Sequence, residues 1–232
     1  MIKKTLMLLM LWGLGSAYGF AQTPPTLSEA QNYQGLFAAV YNGDIDQVAA
    51  LIKEGTDLSQ HDSNGRSALH IAAFQSHDET VKLLVKAGVD INALDNDFYD
   101  VITIAAVAND IELTQLALTL GGNSHNITSP YDGTALIAAA HLGHLEVVNT
   151  LIHAKAPLDH VNNLGWTALI EAVILGDGGK RHTAIVNALI KAGANINITD
   201  REGLTPLDYA KQFGYSEMVT RLSSEKNKIK TR

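Results

Sequence analysis

The chain has 232 residues, of which 46% are hydrophobic and 18% charged, enough for one compact domain or one short repeat array. Its formal net charge of −7 argues against nucleic acid and anionic membrane surfaces as partners, because both repel an acidic protein. The absence of cysteine excludes disulfides, thiolate nucleophiles and a lipid-anchored cysteine.

The N-terminal segment is typical of a bacterial signal peptide. Lys3 and Lys4 precede a short apolar run, LMLLMLWGL, and small residues follow where a cleavage site needs them. The apolar run is shorter than the roughly 20 residues that cross a bilayer. We therefore predict a signal peptide over 1–21, cleaved after Ala21, with cleavage after Gly19 or an uncleaved membrane anchor as alternatives. Export of this kind predicts a periplasmic location.

An aliphatic residue followed three positions later by alanine recurs six times in the rest of the chain. The aliphatic anchors are Leu36, Leu69, Ile102, Leu136, Leu169 and Leu207, and the anchor alanines are Ala39, Ala72, Ala105, Ala139, Ala172 and Ala210. Each anchor precedes a turn residue, a second apolar stripe at helical spacing and a short extended piece. One unit is therefore a pair of helices with a loop, and its apolar face can be buried only by stacking on its neighbours.

This pattern resembles the ankyrin repeat. Asp62, Gly65 and Leu69-His70 match the family's D-x-x-G-x-T-P-L-H motif, and GHLEVV and GANIN later in the chain match G-H-x-E-V-V and G-A-D-V-N. The resemblance implies an all-α ankyrin-repeat solenoid of about six helix-turn-helix repeats with short β-hairpin-like loops. The predicted divisions are a spacer over 22–28 and a repeat domain over 29–228, with repeats at 29–61, 62–94, 95–128, 129–161, 162–199 and 200–228.

No catalytic, cofactor-binding or metal-binding residue is predicted, since the nucleophile-elbow and phosphate-loop motifs are absent. His141 and His144 have a metal-like spacing, but a glycine interrupts the helix between them, so we expect structural roles. Glu171 occupies a helix position that is apolar or small in most repeats. It marks a site or, as is commoner, a partly exposed repeat edge. The five extra residues Asp177–Arg181 are expected to form a surface turn between the two helices of the fifth repeat.

The resemblance places partner binding on the hairpin tips and on the face of each first helix. The tip position, three residues before each anchor, is large in four of the six repeats, and Tyr, Trp and Arg contribute strongly to interfaces. The predicted partner-binding residues are Tyr33, Arg66, Phe74, Tyr99, Tyr131, His141, Leu164, Trp166 and Leu204. Phe98 is a further tip residue, unless it packs against the adjacent hairpin. Tyr99 and Trp166 are expected to tolerate alanine with little loss of stability.

Together these features predict a non-enzymatic, monomeric protein–protein interaction scaffold of the bacterial periplasm, without a cofactor. Exported bacterial ankyrin proteins that resemble this chain suggest a catalase-type stress enzyme as partner. Two alternatives stay open. One is a haem- or metal-handling or enzymatic protein that uses histidines and tyrosines of the concave face, and the other is a secreted effector that acts on a host protein.

Overall fold

The computed structural model describes residues 22–230, and this part of the chain is all-helical, without strands. Its helices are α1 (Leu27–Asn32), α2 (Gly35–Tyr41), α3 (Ile45–Lys53), α4 (Ala68–Phe74), α5 (Asp78–Lys86), α6 (Val101–Ala108), α7 (Ile111–Thr119), α8 (Ala135–Leu142), α9 (Leu145–His153), α10 (Ala168–Ile174), α11 (Lys180–Ala192), α12 (Pro206–Phe213) and α13 (Ser216–Lys230). The predicted signal peptide over 1–21 lies outside the described residues. Between residues 22 and 230, no helix has the length and apolar content that a membrane span requires.

The helices form two layers, as expected for a solenoid. The first helices of the six pairs (α2, α4, α6, α8, α10 and α12) each contact the next in the row, and each packs against its own second helix. The second helices (α3, α5, α7, α9, α11 and α13) form the other layer, where most neighbours also touch. The predicted all-α ankyrin-repeat architecture is confirmed.

The anchor alanines lie where neighbouring first helices meet. Ala72, Ala105 and Ala139 are fully buried, and so are the alanines of the last two repeats. A larger side chain there would force the helices apart, because protein interiors tolerate little overpacking. The regular spacing of alanine in the sequence therefore reports the spacing of helices in the first layer.

The insertion in the fifth repeat is only partly a turn. Asp177 Oδ1 accepts a hydrogen bond from the backbone N–H of Gly179 (2.8 Å), which closes a tight turn. Lys180 and Arg181 instead begin α11, which reaches 13 residues. The expectation of a five-residue surface turn is therefore wrong for these two, because a glycine turn followed by good helix formers extends the helix backwards.

The loops between repeats are hairpin-like and are linked into a row. In the second repeat, Asp62 Oδ1 accepts the backbone N–H groups of Asn64 (2.9 Å) and Arg66 (3.0 Å), and Asp95, Asn162 and Asp200 close their turns in the same way. Backbone hydrogen bonds join successive hairpins, from Asn96 N to Asn64 O (3.1 Å), from Ser129 N to Phe98 O (3.0 Å) and from Asn163 N to Tyr131 O (2.9 Å). The hairpins thus form one continuous edge of the solenoid.

Two glycines at the same hairpin position show how much the contact between successive hairpins contributes to the unfolding free energy. Gly65 (φ +71°) and Gly203 (φ +75°) both need the left-handed region, but only at Gly65 would a Cβ atom collide with the next hairpin, 2.9 Å from the backbone nitrogen of Asn96. Gly203→Ala should cost about 1 kcal/mol of unfolding free energy through backbone strain. Gly65→Ala should cost at least about 1 kcal/mol more, because it also pushes the next hairpin away. Equal costs in urea denaturation would contradict the proposed hairpin coupling.

Candidate partner-binding surface

Four of the predicted residues, Tyr131, His141, Leu164 and Trp166, are brought together across the fourth and fifth repeats. The side chain of Asn162 organises them, since its Oδ1 accepts the backbone N–H groups of Leu164 (3.0 Å) and Trp166 (2.9 Å). The next residue along, Asn163, donates its backbone N–H to Tyr131 O (2.9 Å). Sequence reasoning missed Asn162, although it stands where three other repeats have aspartate.

A buried carboxylate links this hairpin to the first-helix layer. Glu171 is only 1% exposed and accepts a hydrogen bond from Asn162 Nδ2 at Oε1 (3.0 Å). Its Oε2 lies 3.0 Å from His141 Nδ1, and because a carboxylate only accepts, Nδ1 is the donor. The expectation that Glu171 lies partly exposed at a repeat edge is therefore wrong. The side chain of His141 stays 24% exposed, so Glu171 fixes an imidazole that solvent can reach.

In the last repeat a hydrogen bond also joins the turn residue to the first helix, but there the turn residue accepts and the helix residue donates. There Asp200 closes the hairpin turn, and the buried Tyr209 hydroxyl donates to Asp200 Oδ2. Tyr209 and Glu171 both lie nine residues after their turn residue, Asp200 and Asn162. The pair Asn162–Glu171 thus keeps the hydrogen bond while placing the carboxylate on the helix, where it reaches His141 of the preceding repeat.

Phe98 is the most exposed aromatic tip residue near this cluster, with 55% of its surface accessible. It has φ +62°, at the hairpin position that Gly65, Gly165 and Gly203 hold in other repeats. A bulky side chain with positive φ is an outlier that costs free energy, and such strain tends to concentrate at functional positions. We define the hairpin surface as Phe98, Tyr131, His141, Leu164 and Trp166.

Comparisons with known proteins agree with this geometry. The family model "Ankyrin repeats (3 copies)" matches residues 15–97 and 102–200, and "Ankyrin repeats (many copies)" matches 179–222. The chain belongs to the ankyrin repeat family.

Among its relatives, the ankyrin repeat protein YahD of Escherichia coli strain K12 is 33% identical over 78% of this chain and 90% of its own length. A solved ankyrin repeat domain from Acinetobacter baumannii AYE is 39% identical, covers 82% of this chain and 96% of its own, and superposes with a TM-score of 0.78. The solved ankyrin repeat protein EF0377 is 31% identical, with 83% and 98% coverage and a TM-score of 0.74. Ankyrin repeats indicate a protein–protein interaction scaffold and are generally non-enzymatic modules.

Two of the predicted partner-binding residues are buried in this ankyrin repeat protein. Tyr99 is 1% exposed, and burial raises the pKa of its hydroxyl to about 12. Arg66 has no exposed surface and donates from Nε to Asp62 Oδ2 (2.7 Å). Both side chains have structural roles in this conformation, so neither can contact a partner unless the residues that cover it move. The expectation that Tyr99→Ala leaves stability intact does not agree with this burial.

Tyr33, Phe74 and Leu204 are half-buried and pack partly against the core. The hydroxyl of Tyr33 donates to Asp62 Oδ2 (2.7 Å), and burial together with this bond raises the pKa of Tyr33 above its usual range. These three residues lie in other repeats than the hairpin surface. Their partner-binding role stays a prediction.

The histidines of the repeat motif join successive repeats. His77 Nδ1 donates to Val40 O (3.0 Å) and His144 Nδ1 to Ala106 O (2.9 Å), in each case the first helix of the preceding repeat. His141 instead donates to Glu171, so His141 and His144 serve different acceptors. Within residues 22–230, no group of three or more histidine or acidic side chains is arranged to hold a metal ion. The predicted structural roles of these histidines agree with their contacts.

Alanine substitutions should separate the buried tyrosine from the half-exposed tryptophan. Tyr99→Ala is expected to lower the unfolding free energy by about 3–5 kcal/mol, because it leaves a cavity in the core. Trp166→Ala should cost only about 1 kcal/mol, since the ring is half-buried. Chemical denaturation of both variants measures the difference. A small loss for Tyr99→Ala would mean that its ring is not enclosed in solution.

The link between His141 and Glu171 can be measured by a double-mutant cycle. His141→Ala removes one of the two hydrogen bonds to a buried carboxylate and should cost about 1–3 kcal/mol of unfolding free energy. In the Glu171→Gln background the same change should cost less, because a neutral amide is cheaper to leave underbonded. His125→Ala, at an exposed loop histidine, is the control and should be neutral. Equal costs in both backgrounds would show that the two side chains are uncoupled.

Proposed function

We propose that this chain is a non-enzymatic scaffold of the bacterial periplasm that binds a protein partner through the hairpin surface. The observation that carries the proposal is Phe98, an exposed aromatic ring held in a strained backbone conformation where three other repeats use glycine and the fourth has the small polar Asp132. Selection for stability alone would favour glycine there. An exposed ring that costs stability is explained if a partner buries it.

The rest of the hairpin surface has the composition of an interface. Tyr131 and Trp166 offer large apolar area with a polar group, and they are half-buried, so little side-chain entropy remains to be lost on binding. Asn162 binds the backbone N–H of Trp166, Glu171 binds the imidazole of His141, and the two side chains bind each other. This arrangement supports binding without large rearrangement.

The periplasmic location and the class of partner rest on the sequence. The signal-peptide pattern of residues 1–21 favours export, and the absence of cysteine suits an oxidising compartment. A stress-related enzyme such as a catalase is the partner that we would test first, by analogy with exported bacterial ankyrin proteins. Binding would then support that enzyme rather than perform chemistry.

Replacing Phe98 by glycine separates binding from folding. Phe98→Gly should leave the unfolding free energy unchanged or raise it by up to about 1 kcal/mol, because strain is released. The same variant should capture at least tenfold less of the protein that the wild-type chain binds in a periplasmic extract, with purified catalase tested in parallel. Ile45 is an exposed apolar residue at the start of α3, in the layer of second helices, so Ile45→Ala is the matched control and should capture the partner normally.

Cell fractionation tests the periplasmic location. Osmotic shock of cells that express the full chain should release it, and deletion of residues 2–21 should retain it inside. Recovery in the culture medium would favour the secreted-effector alternative, and a Soret band or stoichiometric metal in the purified protein would favour the haem- or metal-handling alternative. Undiminished capture by the Phe98→Gly variant would refute the hairpin surface as the binding site.

A further inference from the structure

Residues 22–32, which comprise the predicted spacer and the first four residues of the first repeat, lie across the hairpin edge of the second and third repeats. Gln22 Nε2 donates to the backbone oxygen of Thr103 in α6 (3.0 Å), and Thr23 Oγ1 donates to Asp97 Oδ2 (3.1 Å). Pro25 is buried although it lies outside the repeats. The segment then turns into α1, whose start is closed by a reciprocal capping box between Thr26 and Glu29. These contacts give residues 22–32 a defined position on the solenoid.

Arg66 is the centre of this contact. Its Nη1 donates to the backbone oxygen of Thr23 (2.6 Å), and its Nη2 donates to Glu29 Oε1 (2.8 Å). Asn64 Nδ2 also donates to Glu29 Oε1 (2.6 Å). Without residues 22–32, the guanidinium would keep Asp62 but lose the acceptor of Nη1 and one of its two carboxylates. A guanidinium that is uncovered in this way can bind a new carbonyl and a new carboxylate.

The position of Arg66 in its repeat is the one that Trp166 holds in the fifth repeat, three residues before the anchor leucine. Residues 22–32 therefore cover, in the second repeat, the site that is open in the fifth. The third-repeat hairpin, which Thr23 contacts through Asp97, also carries the exposed Phe98. The covered area is thus continuous with the hairpin surface.

We propose that the area around Arg66, from the 62–66 hairpin to the start of α6, binds a segment of a protein partner in which proline precedes a short helix that carries a carboxylate. Residues 22–32 occupy this area as an intramolecular stand-in for that segment. The proposal rests on the scaffold function above and adds the chemistry of the partner. Charge complementarity supports it, because Arg66 Nη2 binds the carboxylate of Glu29 at 2.8 Å in the present structure.

Tethering makes the stand-in a strong competitor. A segment attached by a short connection acts at an effective concentration of millimolar order, so a free peptide at micromolar concentration cannot displace it. Weakening the tethered copy should raise the affinity for a free copy by the same factor. Glu29→Gln weakens it without unfolding α1, because glutamine still closes the capping box but no longer carries the charge that Arg66 binds.

The experiment uses a fluorescent peptide with the sequence of residues 22–32, QTPPTLSEAQN, and the chain from residue 22 onwards. Fluorescence anisotropy should show at least tenfold tighter binding of this peptide to the Glu29→Gln chain than to the wild-type chain. A second peptide that carries Glu29→Gln itself should bind at least tenfold more weakly than the first. That control alters the ligand only, so it cannot fail through misfolding.

A reversible cross-link, called the lock below, provides a second test of the proposal. Because the chain has no cysteine, Thr23→Cys with Asp97→Cys creates the only two thiols, and a cleavable bifunctional reagent should join them and hold the segment in place. In the Glu29→Gln background, the lock should abolish peptide binding, and cleavage of the linker should restore it.

Equal binding to the locked and the released chain, or equal binding of the two peptides, would overturn the proposal. So would dimerisation through exchanged segments, detected as a doubled mass by light scattering. Partner capture by the hairpin surface is a separate measurement, so either proposal can fail while the other stands.

Discussion

The close approach of successive first helices is the constraint on which the rest of this structure depends. The anchor alanines are buried between those helices, and any larger side chain would increase their separation. The contacts between repeats need that separation, including the backbone bonds between hairpins and the bonds from His77 to Val40 O and from His144 to Ala106 O. Polar groups of one repeat are thus satisfied by the next, so the repeats stabilise one another rather than themselves.

The sequence predicts this framework well because the relevant signals recur in every repeat. It fails at the hairpin tips, where the direction of a side chain depends on neighbours that do not repeat. Arg66 is enclosed by residues 22–32, which form a spacer and α1 where the later repeats have a hairpin turn. Phe98 and Tyr99 are adjacent, but their exposed fractions differ, at 55% and 1%. Periodicity selected Tyr99, whereas the structure buries it and exposes Phe98, whose positive φ no motif indicates.

The hydrogen-bonded side chains beneath the hairpin surface, Asn162, Glu171 and His141, could be predicted from the sequence only in part. Glu171 stood out as an acid at an apolar helix position, but its partner Asn162 did not, because asparagine closes a turn as aspartate does. The sequence did contain a signal for this contact, because the fifth repeat differs from the others at two positions at once. It has an amide at the turn, Asn162, and an acid nine residues later, Glu171. A buried contact needs one donor and one acceptor, and either order satisfies it. The bond from His141 to Glu171 could not be inferred, since it crosses between repeats.

Two buried ionisable side chains of this face, Glu171 and Arg66, differ in the residues that bind them. Glu171 is bound by Asn162 and His141, which belong to the repeats and cannot leave without unfolding them. Arg66 is bound in part by residues 22–32, which on the proposal above leave Arg66 while α2 and the helices after it stay folded. The fourth and fifth repeats therefore present a surface that is already formed, whereas the second and third present one that must first be uncovered. A partner held at the hairpin surface would bring its own chain to Arg66 at an effective concentration comparable with that of the tethered segment, which is what displacement requires.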